Sequence, residues 1–283
     1  MGKIRVGTSG WSYKDWEDIV YPKSTAKKAL PYMADYFDTI EVNTSFYRPP
    51  NPRYCEKWVR NVEGNSDFMF TMKLWQRFTH EREEAWTAED AEVFKNAIAP
   101  IANAQKLGAL LIQFPWSFAN TEDNRHWVAR LAEAFGEYPL VTEVRHKSWE
   151  NEPSMSFLRD NGLDFCNIDQ PTSRSSIGPT SIATGDVAYY RFHGRNAANW
   201  FSKNAGRDQR YDYLYSDEEL GPWIRDIEEM EKRVEQIYVM TNNHYRGQAP
   251  VNALQMKAAL GGGKVRVPNS LIDYYPVLKK ISE

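Results

Sequence analysis

Val141-Thr-Glu-Val-Arg-His-Lys-Ser-Trp149 begins as a strand and ends as a cluster of reactive groups. Leu140, Val141 and Val144 favour extended backbone. Strand side chains alternate between faces, so Glu143 and Arg145 point one way while Thr142, Val144 and His146 point the other. A carboxylate and a guanidinium on the buried face of a strand either pair with each other or hold something else. The stretch also has helical patterns on both sides. Upstream, the spacing predicts a helix from about Glu122 to Phe135, capped by Thr121. Downstream, a helix is expected from about Pro153 to Asn161, with Gly162 as its stop.

The same alternation extends over the whole chain. Strands are expected at Ile4–Ser9, Thr39–Asn43, Phe68–Lys73, Leu107–Gln113, the stretch just quoted, Asp164–Asp169, Val187–His193 and Gln236–Thr241. Helices are expected at Lys27–Tyr36, Pro52–Val62, Ala88–Ala104, Ser216–Arg233 and Pro250–Leu260. Regular β-α alternation argues for a parallel sheet. Eight such units suit a closed (β/α)8 TIM barrel of the α/β class, with an open doubly wound sheet as the alternative. Between strands six and seven, the Pro-, Ser- and Thr-rich stretch Pro171–Gly185 replaces a helix, so this connection is expected to be irregular. No low-complexity linker or shift in composition divides the chain, and residues 1–283 are expected to form a single domain.

With 283 residues, 42 % of them apolar, the chain can bury a large core. Its net charge of −3 argues against coating nucleic acid broadly and disfavours nucleic acid as a partner. Cys55 and Cys166 lie far apart in apolar surroundings and form no CxxC pair, so both read as buried thiols of a reducing compartment. No apolar run has the length of a signal peptide or a membrane span, and a cytoplasmic, membrane-free protein is expected.

In a parallel barrel, chemistry gathers at the C-terminal ends of the strands, and alternate residues face the lumen. Assigning the polar parity inward gives Gly7 and Ser9, Glu41 and Asn43, Thr71 and Lys73, Leu111 and Gln113, Glu143 and Arg145, Asn167 and Asp169, and Arg191 and His193. The opposite parity is mostly apolar. Six of the inward residues on five strands are charged: Glu41, Glu143 and Asp169 against Lys73, Arg145 and Arg191. Unpaired burial of such charges costs several kcal/mol each, roughly, so they pair or bind a ligand.

Three chemistries fit this inventory. Glu41 and Glu143 would serve as the paired carboxylates of a glycoside hydrolase, with loop aromatics against the sugar. Lys73, Arg145, Arg191 and His193 would hold a phosphate or carboxylate, since Arg forks match such oxygens. Glu41, Glu143, Asp169 and His193 would also suit a divalent metal. The sequence has no HxxxH, HExxH or CxxC spacing, and the interspersed cations reduce the need for a metal, so no cofactor is expected.

Several motifs together resemble the YecE-like family, also called domain of unknown function 72. They are Gly7-Thr-Ser-Gly-Trp11, Glu41-Val-Asn-Thr-Ser-Phe-Tyr-Arg48, Thr79-His80, Gln113-Phe-Pro115, Glu143-Val-Arg-His-Lys-Ser-Trp149, Arg191-Phe-His-Gly-Arg195 and Asn242-Asn243. The resemblance runs in order along almost the whole chain. It implies a TIM barrel whose shared residues lie at the mouth, and it brings no settled activity with it.

The expected function is that of an enzyme, a hydrolase or lyase, acting on an anionic, phosphate-bearing or nucleotide-like small molecule. Arg145, Arg191 and Lys73 would bind the anion. Glu143 or Glu41 would act as base or nucleophile and His193 as proton donor, with Asp169 completing the catalytic candidates. Asn43 and Gln113 would add polar contacts. Trp11, Tyr47 and Trp149 would form the walls, and His80 would close over the mouth. A non-catalytic nucleic-acid-binding module and a glycoside hydrolase are the alternatives.

Overall fold

Eight mostly buried runs, apolar on the outward parity, form the sheet. They are β1 (Lys3–Ser9), β2 (Thr39–Val42), β3 (Met69–Lys73), β4 (Leu107–Gln113), β5 (Leu140–Glu143), β6 (Leu163–Asp169), β7 (Val187–Phe192) and β8 (Gln236–Thr241). In this computed structural model, which describes every residue except Lys203, the strands close into a barrel in chain order, β1 to β8. The fold is a (β/α)8 TIM barrel.

Helix α1 (Ala29–Ala34) lies between β1 and β2, and α2 (Thr44–Tyr47) and α3 (Pro52–Asn61) lie between β2 and β3. Helices α4 (Ala88–Asn103), α5 (Glu122–Phe135) and α6 (Glu152–Asp160) follow β3, β4 and β5 in turn. After β7 come α7 (Ala197–Trp200), α8 (Arg207–Arg210) and α9 (Asp217–Glu231), and after β8 come α10 (Gln248–Leu260) and α11 (Asn269–Tyr274). The β6–β7 connection carries no helix. The first helix is shorter than its sequence pattern suggests, because Lys23–Lys28 winds as 3-10 turns instead. Strand β7 stops at Phe192, one residue earlier than expected.

The residues group into two compact units: residues 1–40, 168–171 and 190–283, and residues 41–167 and 172–189. In the first unit, β1 pairs with β8 in register, Lys3 opposite Gln236 through Thr8 opposite Thr241. Position 7 has to be glycine, since a Cβ there would lie 1.8 Å from the carbonyl oxygen of Thr39. In the second unit, Gln113 stands opposite Glu143 across β4 and β5, which brings two polar strand ends side by side. Helix α4 opens with a reciprocal capping box between Thr87 and Asp90. Beneath it, Phe78, Phe94 and Phe135 pack edge to face with centroids 5.1–6.2 Å apart.

Both cysteines are buried, and neither is in a disulfide among the described residues. Asp164, near the start of β6, is a buried carboxyl whose Oδ1 has no hydrogen-bond partner among the described residues. Burial pushes its pKa up to about 7, against hydrogen bonds from the backbone N–H groups of Val187 and Gly185 and with some help from Asp186. A carboxyl held above its unfolded value keeps its proton in the native state while the unfolded chain has lost it. Its contribution to stability therefore falls as pH rises from about 4 to about 7. Asp164→Asn should match the wild type near pH 4 and exceed it by about 2–4 kcal/mol at pH 8. Urea denaturation of both proteins at the two pH values measures the difference, and equal stability at pH 8 would rule out the buried neutral acid.

Candidate functional site

Three strand ends of the second unit, those of β3, β4 and β5, bring together most of its candidate residues. Lys73 at the end of β3 donates from Nζ to Gln113 Oε1 at 2.8 Å and lies 4.1 Å over the Phe46 ring. Ser45 Oγ sits 2.7 Å from Lys73 O and 2.8 Å from Val42 O, tying the loop after β2 to the end of β3. Arg145 donates from Nε and Nη2 to one oxygen of Glu143, at 2.7 and 2.6 Å. The Glu143 side chain is wholly buried, and that of Arg145 is 16 % exposed. Cys166 Sγ lies 4.0 Å from the other Glu143 oxygen.

Deeper in the same unit, buried Glu41 accepts a hydrogen bond from Tyr189 at 2.8 Å, and the Tyr189 hydroxyl lies 2.7 Å from Thr71 Oγ1. Side chains from β2, β3 and β7 meet in this way only if all three face inward, which is the polar parity read from the sequence. Tyr189 was not singled out there, although it shares the parity of Arg191 and stands two residues before it.

His80 follows β3 and packs edge-on against Phe46, centroids 4.9 Å apart. Its Nδ1 lies 2.9 Å from the buried Thr79 hydroxyl. Part of the ring reaches solvent. Even so, packing around it pushes its pKa down to about 4, helped by Lys73, Arg145 and Arg82 and opposed by Glu143. The imidazole is therefore neutral at neutral pH, able to accept a proton on one nitrogen and donate from the other.

The aromatic wall candidates divide. Tyr47 is 64 % exposed, and Trp11 is partly exposed. Trp149, expected as a wall, is a core residue. It has no exposure, stacks on Phe118 with the rings 5° from parallel, and donates from Nε1 to Phe118 O at 2.9 Å. The 3-10 turn Lys147–Trp149 turns it inward, and His146 sits in the same turn with Nδ1 on Ser148. Asn43 precedes α2, and its side chain makes no capping bond there.

The remaining candidates belong to the first unit. Buried Asp169 accepts two bonds from Arg195 Nε, both 3.0 Å, one from Arg195 Nη2 at 2.7 Å, and one from Trp223 Nε1 at 3.0 Å. Burial pushes its carboxyl pKa up, and Arg195 and Trp223 oppose the shift. Arg195 also approaches Glu219 at 3.5 Å. The loop between them turns at Gly194, whose φ of +89° suits glycine and whose N–H donates to the Tyr215 hydroxyl at 2.9 Å. Both Asp169 oxygens thus serve protein donors, an arrangement that holds the loop in place. Tyr215 and Trp223 belong to this network and carry no strand-end signal that would reveal them in the sequence.

His193 is wholly buried. Its Nδ1 lies 2.9 Å from Asn242 Nδ2, and its Nε2 lies 3.5 Å from buried Arg191 Nη1. Donation from the Asn242 amide makes Nδ1 an acceptor.

Residues 5–272 match the family described as protein of unknown function DUF72. The UPF0759 protein YunF of Bacillus subtilis is 30 % identical over 266 residues, spanning 89 % of this chain and 93 % of that protein. A crystal structure of a DUF72 family protein from Thermotoga maritima superposes with a TM-score of 0.83 at 38 % identity, covering 91 % of this chain and 99 % of that one. A DUF72 family protein from Enterococcus faecalis gives a TM-score of 0.81 at 26 % identity, covering 92 % and 96 % of the two chains.

Proposed function

This chain belongs to the DUF72 family, and from that premise we propose that the strand-end cluster of residues 41–189 is a hydrolase or lyase site for a small phosphate-bearing anion. The observation that carries this reading is the placing of Lys73 at the end of β3, over the Phe46 ring that also packs against His80, and of Arg145 just beyond β5. Three cations, Lys73, Arg145 and Arg82, and one carboxylate, Glu143, act on the His80 ring. A local surplus of positive charge at strand ends, partly withdrawn from water, favours an anion between the cations. Lys73 and Arg145 are the groups that take the substrate oxygens. Neutral His80 accepts a proton from the attacking water or from a substrate carbon. The Glu143 carboxylate aims the Arg145 guanidinium, and the Thr71–Tyr189–Glu41 chain fixes the floor beneath.

Lys73 is the clearer test, because Arg145 also carries a structural ion pair. Isothermal titration with inorganic pyrophosphate at low ionic strength should show saturable binding to the wild type. Lys73→Met should weaken it about tenfold or more, the loss of one charge-assisted contact. Equal affinity in the variant, or no binding by the wild type, would sink the proposal.

A further inference from the structure

His244 stands just beyond β8 in the first unit and is 3 % exposed. Neither of its ring nitrogens has a hydrogen-bond partner among the described residues. Native proteins satisfy nearly all such groups, so an imidazole buried at this cost calls for an explanation. The fold does not supply one. The backbone of His244 is already used, since its carbonyl oxygen accepts from Trp16 Nε1 at 2.6 Å and from Gly247 N at 3.2 Å. Its side chain does not cap the 3-10 turn that follows. The ring stacks 9° from parallel on Tyr13, with centroids 4.6 Å apart. Any flat ring would make that stack, and phenylalanine would make it without burying two polar atoms.

The other neighbour of the imidazole is Tyr211. Its ring centroid lies 5.1 Å from His244, 6.3 Å from His193 and 5.5 Å from Trp200. Tyr211 therefore stands between two buried imidazoles, against a tryptophan. It is itself only half-buried, and its hydroxyl makes no hydrogen bond among the described residues. Little holds it in place apart from ring packing.

We propose that Tyr211 plugs a second ligand site, in which a neutral polyhydroxylated six-membered ring of the monosaccharide class replaces the tyrosine ring and bonds to His244. A six-membered ring in that position lies against both imidazoles, as the Tyr211 ring does, 5.1 Å from His244 and 6.3 Å from His193 by centroid. Hydroxyl groups donate and accept, so they satisfy either tautomer of a neutral imidazole. Burial and the nearby Arg207 keep His244 neutral, with its pKa down at about 4. Trp200 offers a flat face to the ring's C–H groups. The charged groups at the two imidazoles are Arg207, Asp208 and Asp15 at His244 and Arg191 at His193, two cations against two carboxylates with no surplus of positive charge. That balance disfavours an anion and separates this site from the phosphate reading, on which it does not depend.

The test uses the full chain and tryptophan fluorescence, with Trp200 as the reporter. D-Glucose, D-galactose and D-xylose are titrated into wild type, Tyr211→Ala and His244→Phe. At least one sugar should give a saturable change in the wild type. Tyr211→Ala should lower its half-saturating concentration by about threefold or more, because the fraction of protein with the plug displaced no longer limits binding. His244→Phe should lose the response and yet melt no lower than the wild type, since it keeps the stack and removes two unpaired polar atoms. Four results would overturn the proposal. They are no saturable change with any of the sugars, an unaltered response in His244→Phe, an unshifted titration in Tyr211→Ala, or a fall of more than about 5 °C in the melting temperature of His244→Phe, which would mark the imidazole as structural.

Discussion

Arg145→Ala should destabilise the protein by about 2–4 kcal/mol and abolish pyrophosphate binding. Glu143 is wholly buried and takes the Nε and Nη2 contacts of the guanidinium on one oxygen. Removing Arg145 leaves that carboxylate in the protein interior without its cation, a loss that is generally severe for buried pairs. The residual exposure of Arg145 lets some solvent in, which places the expected cost below the extreme. Replacing both partners together, Glu143→Leu with Arg145→Met, removes the stranded charge and should recover most of the stability. The double variant should still fail to bind pyrophosphate. Urea denaturation and titration on the three proteins separate the structural role from the binding role. If the stable double variant binds pyrophosphate as the wild type does, Arg145 has only a structural part.

Asp169→Asn should lose about 3 kcal/mol while leaving pyrophosphate affinity unchanged. The asparagine keeps one acceptor oxygen but presents N–H donors to Arg195 or to Trp223 Nε1, both of which donate to the native carboxylate. Removing half of a buried, charge-assisted network accounts for a loss of that size. For a chain of this length it corresponds to a melting temperature lower by roughly 5–10 °C. A folded, stable Asp169→Asn protein that no longer binds pyrophosphate would instead return Asp169 to the ligand site.

Both predictions turn on side chains whose identity was visible in the sequence and whose partners were not. Glu41, Glu143 and Asp169 stand out because carboxylates are rare in mostly buried runs. Strand limits were legible to within a residue or two because apolar and β-branched residues recur on the outward parity of each strand. Glu143 and Arg145 pair across two positions, Glu143 closing β5 and Arg145 just beyond it, so their closeness in sequence made the pair legible. The partners of Asp169 were not legible, because Arg195 lies beyond a turn and Trp223 lies on α9. No local periodicity carries information about such pairings. Trp149 shows the same limit on a smaller scale. A tryptophan just past a strand end is wall or core according to how the next turn bends, and a short 3-10 turn decided it. Helices α2, α7 and α8, of four residues each, are too short to display a period of 3.6.

The pairing of β1 with β8 bears on how the protein is made. Lys3 meets Gln236, and every bond of that seam joins residues more than two hundred positions apart. During synthesis β1 leaves the ribosome more than two hundred residues before its barrel neighbour on that side. At about 5–20 residues per second, the nascent edge waits roughly ten seconds or longer with unpaired backbone groups. For that interval the opening strand is exposed to other chains. Closure of the barrel therefore waits for β8, and the interval before it is the stage at which chaperones have most to protect.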